Sequence, residues 1–159
     1  MAGINNLEQA KITFEALCHA LDNNDWHYNK DEENLSITCG AQGEDLPMEI
    51  KIKIDLDRML VLLFSFMPFD IQEDKRIDAA IAVSAINNAL VDGSFDYDIS
   101  SGSIYFRMSN SFIDSKLGEE VFLYMLYCSC QTIDEYNDKF LMLSKGILSV
   151  EQFIASLND

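Results

Sequence analysis

The residues read as an α+β domain: an antiparallel sheet of about five to six strands with helices packed on it, in the order α-β-β-β-β-α-β-β-α-α. Three observations carry this reading. Apolar and polar residues alternate with period two in several short runs, most clearly over Met48–Leu56. Long stretches near both ends repeat their apolar residues at three- and four-residue steps. Successive strands are joined by short Asp, Asn, Ser and Gly turns, which favours hairpins.

Asn5 or Asn6 can cap a first helix in which Leu7, Ala10, Phe14, Leu17, Cys18 and Leu21 share a face. Trp26–Lys30 then forms a short strand, and Asp31–Asn34 turns it into Leu35–Cys39. The third strand sets Met48, Ile50, Ile52, Ile54 and Leu56 on one face and charges on the other. Met59–Met67 is apolar at successive positions, so it is an inner strand or an edge strand that meets another chain. Asp70–Asp92 is helical, with Gly93 as its left-handed cap and more apolar surface than one sheet contact uses. One stripe is Ile77, Ile81, Ala85 and Asn88; its neighbour is Ala79, Ala82, Val83, Ile86 and Leu90. The turn Ser100–Gly102 makes a second hairpin, with Phe95, Tyr97 and Ile99, then Ile104, Phe106 and Met108, facing in. A long helix runs from Leu117 to Gly146, and Ser149–Phe153 opens a short last one.

Composition bounds the function. The 159 residues hold 27 acidic against 11 basic side chains, a net charge of −16, yet 48 % are apolar. That is enough core for one domain spanning residues 1–159 and is unlike a disordered acidic chain. The acidity opposes nucleic acid and anionic membranes, both of which attract clustered cations. No run approaches the roughly 20 apolar residues of a membrane span, and no basic-then-apolar leader is visible, so a cytoplasmic location is expected. There Cys18, Cys39, Cys128 and Cys130 stay reduced.

The residues also resemble those of the YbjN-like family, described as a bacterial sensory transduction regulator, whose fold is similar to the type III secretion chaperones. The resemblance spans roughly residues 7–157. It rests on Trp26-His-Tyr28, on Met67-Pro-Phe69, and above all on Asn87-Asn-Ala-Leu-Val-Asp-Gly93-Ser-Phe95-Asp-Tyr-Asp98 followed by Gly102-Ser-Ile104-Tyr-Phe-Arg107, with Gly146–Glu151 at the tail. These are turn glycines, a cap-region asparagine and core aromatics. The resemblance implies a small antiparallel sheet carrying helices and no assigned enzymatic activity.

The chemistry points the same way. His19 and His27 have no nucleophile beside them at a working spacing, and Cys18 reads as core. Cys128 and Cys130 lie about 200° apart on a helix and cannot converge on one zinc. The acid-rich Asp22–Glu33 loop has Trp26 and His27 where a calcium loop needs a ligand and a glycine. Gly93 and Gly102 are turn residues rather than a phosphate cradle. Lys51, Lys53 and Arg58 are expected to pair with Glu49, Asp55 and Asp57, or to gatekeep a sheet face, rather than to bind an anion. No catalytic residue, cofactor or metal is expected.

What remains is surface. The fourth strand turns either Leu60, Leu62, Phe64 and Phe66 or Met59, Val61, Leu63 and Met67 away from the first core layer, according to a register that the sequence leaves open. The first set, and Ile77, Ile81 and Ala85 of the surplus helical stripe, make two surplus apolar surfaces, the candidate protein-interaction residues, expected to meet across a two-fold axis in a homodimer. The function expected is non-enzymatic protein binding, as a chaperone-like holder of a client or as a regulator. A signalling adaptor that holds no client, or more remotely an enzyme with an acidic site, is the competing reading.

Overall fold

The computed structural model describes residues 2–158, with side chains from residue 5 onward. Along the chain stand α1 (Ala2–Asn23), β1 (Tyr28–Asp31), β2 (Ser36–Gln42), β3 (Pro47–Asp55), β4 (Leu60–Asp70), α2 (Arg76–Ala89), β5 (Ser94–Asp98), β6 (Ser103–Ser111), α3 (Glu119–Ser144) and α4 (Val150–Ala155). The six strands form one antiparallel sheet in the order β1-β2-β3-β4-β6-β5. The expected class and element order hold.

Period-two patterning decides which face each strand buries. Met48, Ile50, Ile52 and Ile54 of β3, Val61, Leu63 and Met67 of β4, and Ile104, Phe106 and Met108 of β6 are all buried. Against them lies α3, whose Phe122, Met125, Leu126, Ile133, Phe140 and Leu143 follow the helical period and are buried too. Phe95 of β5 packs edge-on to Phe106 and Tyr136, with ring centroids 5.3 and 5.9 Å apart, and Phe140 in turn meets Phe153 of α4 at 5.0 Å. Ser149 opens α4 with a reciprocal capping box, its hydroxyl accepting from Gln152 N while the Gln152 amide oxygen accepts from Ser149 N. At the other end of the layer, Asn23 and Asn24 of α1 and its following turn donate to the Glu119 carboxylate at 3.0 and 2.9 Å, tying α1 to the start of α3.

Several boundaries differ from expectation. Asn5 and Asn6 lie inside α1, whose helical run begins at Ala2: asparagine costs an exposed helix only tenths of a kcal/mol, too little to stop propagation. The second helix is shorter than Asp70–Asp92, because a 3-10 turn at Glu73–Lys75 precedes α2 and Leu90 is already extended at ψ 136°. Gly93 does adopt a left-handed φ of 72°, but in the turn into β5 rather than as a helix cap. Its bare Cα is also needed there, since a Cβ would run into the Phe106 ring. Ile99 is exposed rather than inward-facing, since β5 ends one residue before it. Met59 sits in the β3–β4 turn at φ 54°, so the fourth strand starts at Leu60 and continues past the exposed Pro68 through an irregularity before Asp70.

Candidate protein-binding surface

The register of β4 is set from both sides. Lys53 pairs with Leu62, Lys51 with Phe64 and Glu49 with Phe66 across β3; Ser109, Arg107 and Tyr105 of β6 pair with the same three residues. Val61, Leu63, Ser65 and Met67 thereby enter the core. Leu60, Leu62, Phe64 and Phe66 turn to the opposite face, where each remains partly open to solvent and no helix lies among the described residues. The alternative set offered by the sequence is core.

This open face is more aromatic than β4 alone suggests. Tyr105 lies 5.9 Å from Phe64 and 5.4 Å from Phe66, ring centroid to ring centroid, and the two phenylalanines are 6.4 Å apart. Beside Tyr105, Arg107 makes a two-pronged pair with Asp96 of the neighbouring β5, at 2.6 and 3.1 Å. Beyond Phe66 the face dips into a depression of about 750 Å³ lined by His27, Asn29, Thr38, Gly40, Glu49 and Phe66. Gly40 floors it: a Cβ there would meet only the Met48 carbonyl, at an ordinary 3.6 Å, so the dip reflects a missing side chain rather than a crowded backbone. Sequence reading passed over Tyr105 and Gly40. Tyr105 is the one ring in the outward phase Ser103, Tyr105, Arg107, Ser109, a signal that gains meaning only once β6 is known to lie beside β4.

The second predicted group is elsewhere. Ile77 and Ile81 are 66 % and 45 % exposed and Ala85 is partly so, forming a shallow stripe along α2. α2 packs on β5, α3 and α4, and the strand order places β6 and β5 between it and β4. The stripe and the β4 face are therefore two separate surfaces of the monomer.

The expected pairing of the basic residues is only partly present. Asp55 accepts from Arg58 N at 3.0 Å and pairs with its guanidinium at 2.9 Å, which holds its carboxyl below the usual carboxylate range. Lys51 and Lys53 take part in none of the ion pairs among the described residues. The turn claims Asp55 first because a backbone N–H three residues on is always in reach, whereas a neighbouring lysine must be ordered to arrive.

Reactive groups are poorly placed for chemistry. His19 and His27 are exposed, Cys18 is buried, and burial pushes the Cys39 and Cys130 thiols up to about 11, away from thiolate at neutral pH. Among the described residues no cluster of three or more His, Cys, Asp or Glu side chains is placed to hold a metal ion, and no helix is long and apolar enough to cross a membrane.

The chain matches, over residues 13–142, the model of the YbjN family, described as "Putative bacterial sensory transduction regulator". The match is narrower than the 7–157 read from the sequence; it includes the Asn87–Arg107 motif and stops short of the Gly146–Glu151 tail. No curated protein matches. The crystal structure of YbjN from E. coli, named there as a putative transcription regulator, superposes with a TM-score of 0.59 at 16 % identity, covering 79 % of this chain and 91 % of that one. At that identity the likeness is one of fold, and the family description names a regulator and no reaction. An open antiparallel sheet carrying helices, matched over 130 of 159 residues by one family model, makes this chain a member of the YbjN family.

Proposed function

We propose that this protein is a non-enzymatic regulatory domain that binds a protein partner through the open face of its sheet. The observation that carries the reading is the row Leu60, Leu62, Phe64 and Phe66, joined by Tyr105, lying uncovered while the opposite face of the same strands is buried. Contiguous aromatic and aliphatic side chains on a rigid strand lose little conformational entropy on binding, which suits an anchor site.

Binding by side chains of the face is favoured over strand addition, the mode a holder of extended clients would use. The β5 edge is occupied at Phe95, whose outward backbone groups are both taken by Asn87 of α2. The β1 edge is four residues long and ends in the acidic turn Asp31–Glu33. These features support a regulator or adaptor over a client-holding chaperone.

The test is site-specific photo-crosslinking in cells, with the photoreactive residue at position 62 or 64 on the face, at 81 on the α2 stripe, or at 11 on α1. A discrete adduct from 62 and 64 that is absent from 81 and 11 supports the reading. Equal yields from all four positions sink it.

A further inference from the structure

Resting on that reading, we propose that the occupant of the open face is an amphipathic helix of about four turns whose apolar anchors are flanked by acidic side chains. Length sets the first part. Leu60 to Phe66 spans about 20 Å of strand, the length of a helix of about 13 residues. A helix with anchors at i, i+3, i+4 and i+7 would meet the row in the way that α3 already meets the inner face.

Charge sets the second part. Although the chain carries −16, cations border the middle of the apolar row, Lys51 and Lys53 opposite Phe64 and Leu62 on β3 and Arg107 opposite Phe64 on β6, while Glu49 and Asp55 stand at its two ends opposite Phe66 and Leu60. Arg107 is neutralised by Asp96, and Asp55 by Arg58, but the two lysines touch no carboxylate among the described residues. Asp31 and Asp55 feel them only at a distance, as the weakest of the influences on either carboxyl. Two uncompensated cations beside a desolvating apolar surface select for carboxylates brought by a partner.

The same charges disfavour a second copy stacked face to face. The middle of the β3 flank is basic and the β6 flank holds only Tyr105, Ser109, Ser111 and an Arg107 already paired with Asp96, so such stacking offers Lys51 and Lys53 of each chain no carboxylate from the β6 flank of the other. Extended polyanions and anionic bilayers are opposed by the remaining surface, whereas a short segment lies within the roughly 8 Å over which local charges act at physiological salt.

Two synthetic 14-residue helical peptides decide the matter, sharing Leu and Phe anchors at i, i+3, i+4, i+7 and i+11 and carrying either glutamate or lysine on both flanks. Fluorescence anisotropy is read against the full chain, Phe64→Ser and the double variant Lys51→Glu/Lys53→Glu, with circular dichroism confirming that each variant is folded. The acidic peptide is expected to bind about ten-fold tighter than the basic one, as two or three partly exposed ion pairs allow. Reversal of that preference in the double variant, with loss of both peptides in Phe64→Ser, supports the proposal. Equal binding of the two peptides, lost in Phe64→Ser, overturns the acidic helix and leaves the binding face standing. Binding indifferent to Phe64→Ser overturns both. No binding of the acidic peptide overturns the helix proposal, and so does a dimer seen by light scattering in the unaltered chain that Phe64→Ser dissolves, since the occupant is then a second copy.

Discussion

Asn87 hydrogen-bonds both backbone groups of Phe95: its side-chain oxygen accepts from Phe95 N at 2.8 Å and its amide donates to Phe95 O at 2.9 Å. One side chain at the end of α2 thus stands in for a missing seventh strand at the sheet edge. The N-terminal end of α2 is held against the same hairpin by Arg76, which donates to the carbonyls of Ser100 and Ser101, and by Tyr97, whose hydroxyl donates to Arg76 O. This gives the Asn87–Phe95 motif a physical meaning, since an edge left unpaired is both unstable and adhesive.

Asn87→Ala should cost about 2 kcal/mol, because a part-buried donor and acceptor are left without partners. Urea unfolding followed by circular dichroism measures it. The variant should also aggregate faster than the unaltered chain as β5 offers its edge, and a change below about 0.5 kcal/mol would show that water replaces the asparagine fully.

Gly102 sits at φ 83° with its Cα against the backbone of Ile71, whose N–H donates to Gly102 O at 2.8 Å. Gly102→Ala should lower stability by roughly 2–4 kcal/mol, from left-handed strain of about 1–2 kcal/mol and a collision with main chain that cannot swing aside. Gly40→Ala is the control, expected near neutral because the added methyl meets an ordinary contact. A thermal melt of the two variants side by side checks the order.

The two faces of β4 should answer oppositely to truncation. Leu63→Ala, in the core, should cost roughly 2–5 kcal/mol, and Leu62→Ala, one residue away on the open face, about 1 kcal/mol or less. Equal losses in denaturant titrations would mean that something already covers the outer face.

Stability should fall at both ends of the pH scale. Hydrogen bonds from the Asn34 side chain and backbone, from the Arg58 backbone and side chain, and from Ser100 and Ser101 hold Asp31, Asp55 and Asp98 below their ordinary value. Depressed carboxyls stabilise the fold above the unfolded value of 3.8, and that contribution is lost as pH falls below it through the folded values. Cys39 and Cys130 shift the other way, chiefly by burial, from 9.0 to about 11. Their contribution is whole below pH 9 and is lost as pH rises from 9 through 11, as the unfolded thiols ionise first. Midpoints of thermal unfolding across pH 2–11 test both limbs. At pH 8, where the unfolded thiols already ionise in part, Cys39 and Cys130 should react with a thiol reagent far more slowly in the fold than in urea.

Element order, the buried faces of β3 and β6 and most of the core were legible from residue periodicity. Burying apolar side chains is a local pattern with a strong driving force, so Ile50, Ile52, Ile54 and the helical series Met125, Ile133, Tyr136, Phe140 and Leu143 read correctly without coordinates, whereas Val121 of that series is only partly buried and its neighbour Phe122 fills the core. The α4 capping box was legible for a similar reason, being a bond between residues three apart. Boundaries were less so: Asn5, Asn6 and Gly93 are sound signals for caps, overruled by helix propagation in one case and by the β5 turn in the other.

The binding face needed the third dimension. That β4 is apolar on both sides is written in its sequence, but which side is core depends on the turn that places Met59 at φ 54° and on pairing with β3 and β6. A one-residue slip would exchange Leu62 and Phe64 for Leu63 and Ser65. Tyr105 joins the row, Lys51 and Lys53 border it, and α2 carries its own stripe elsewhere, because residues distant in the chain become neighbours only through strand order. Local periodicity specifies what each segment buries; the hydrogen-bonded register between segments specifies what the folded protein leaves open.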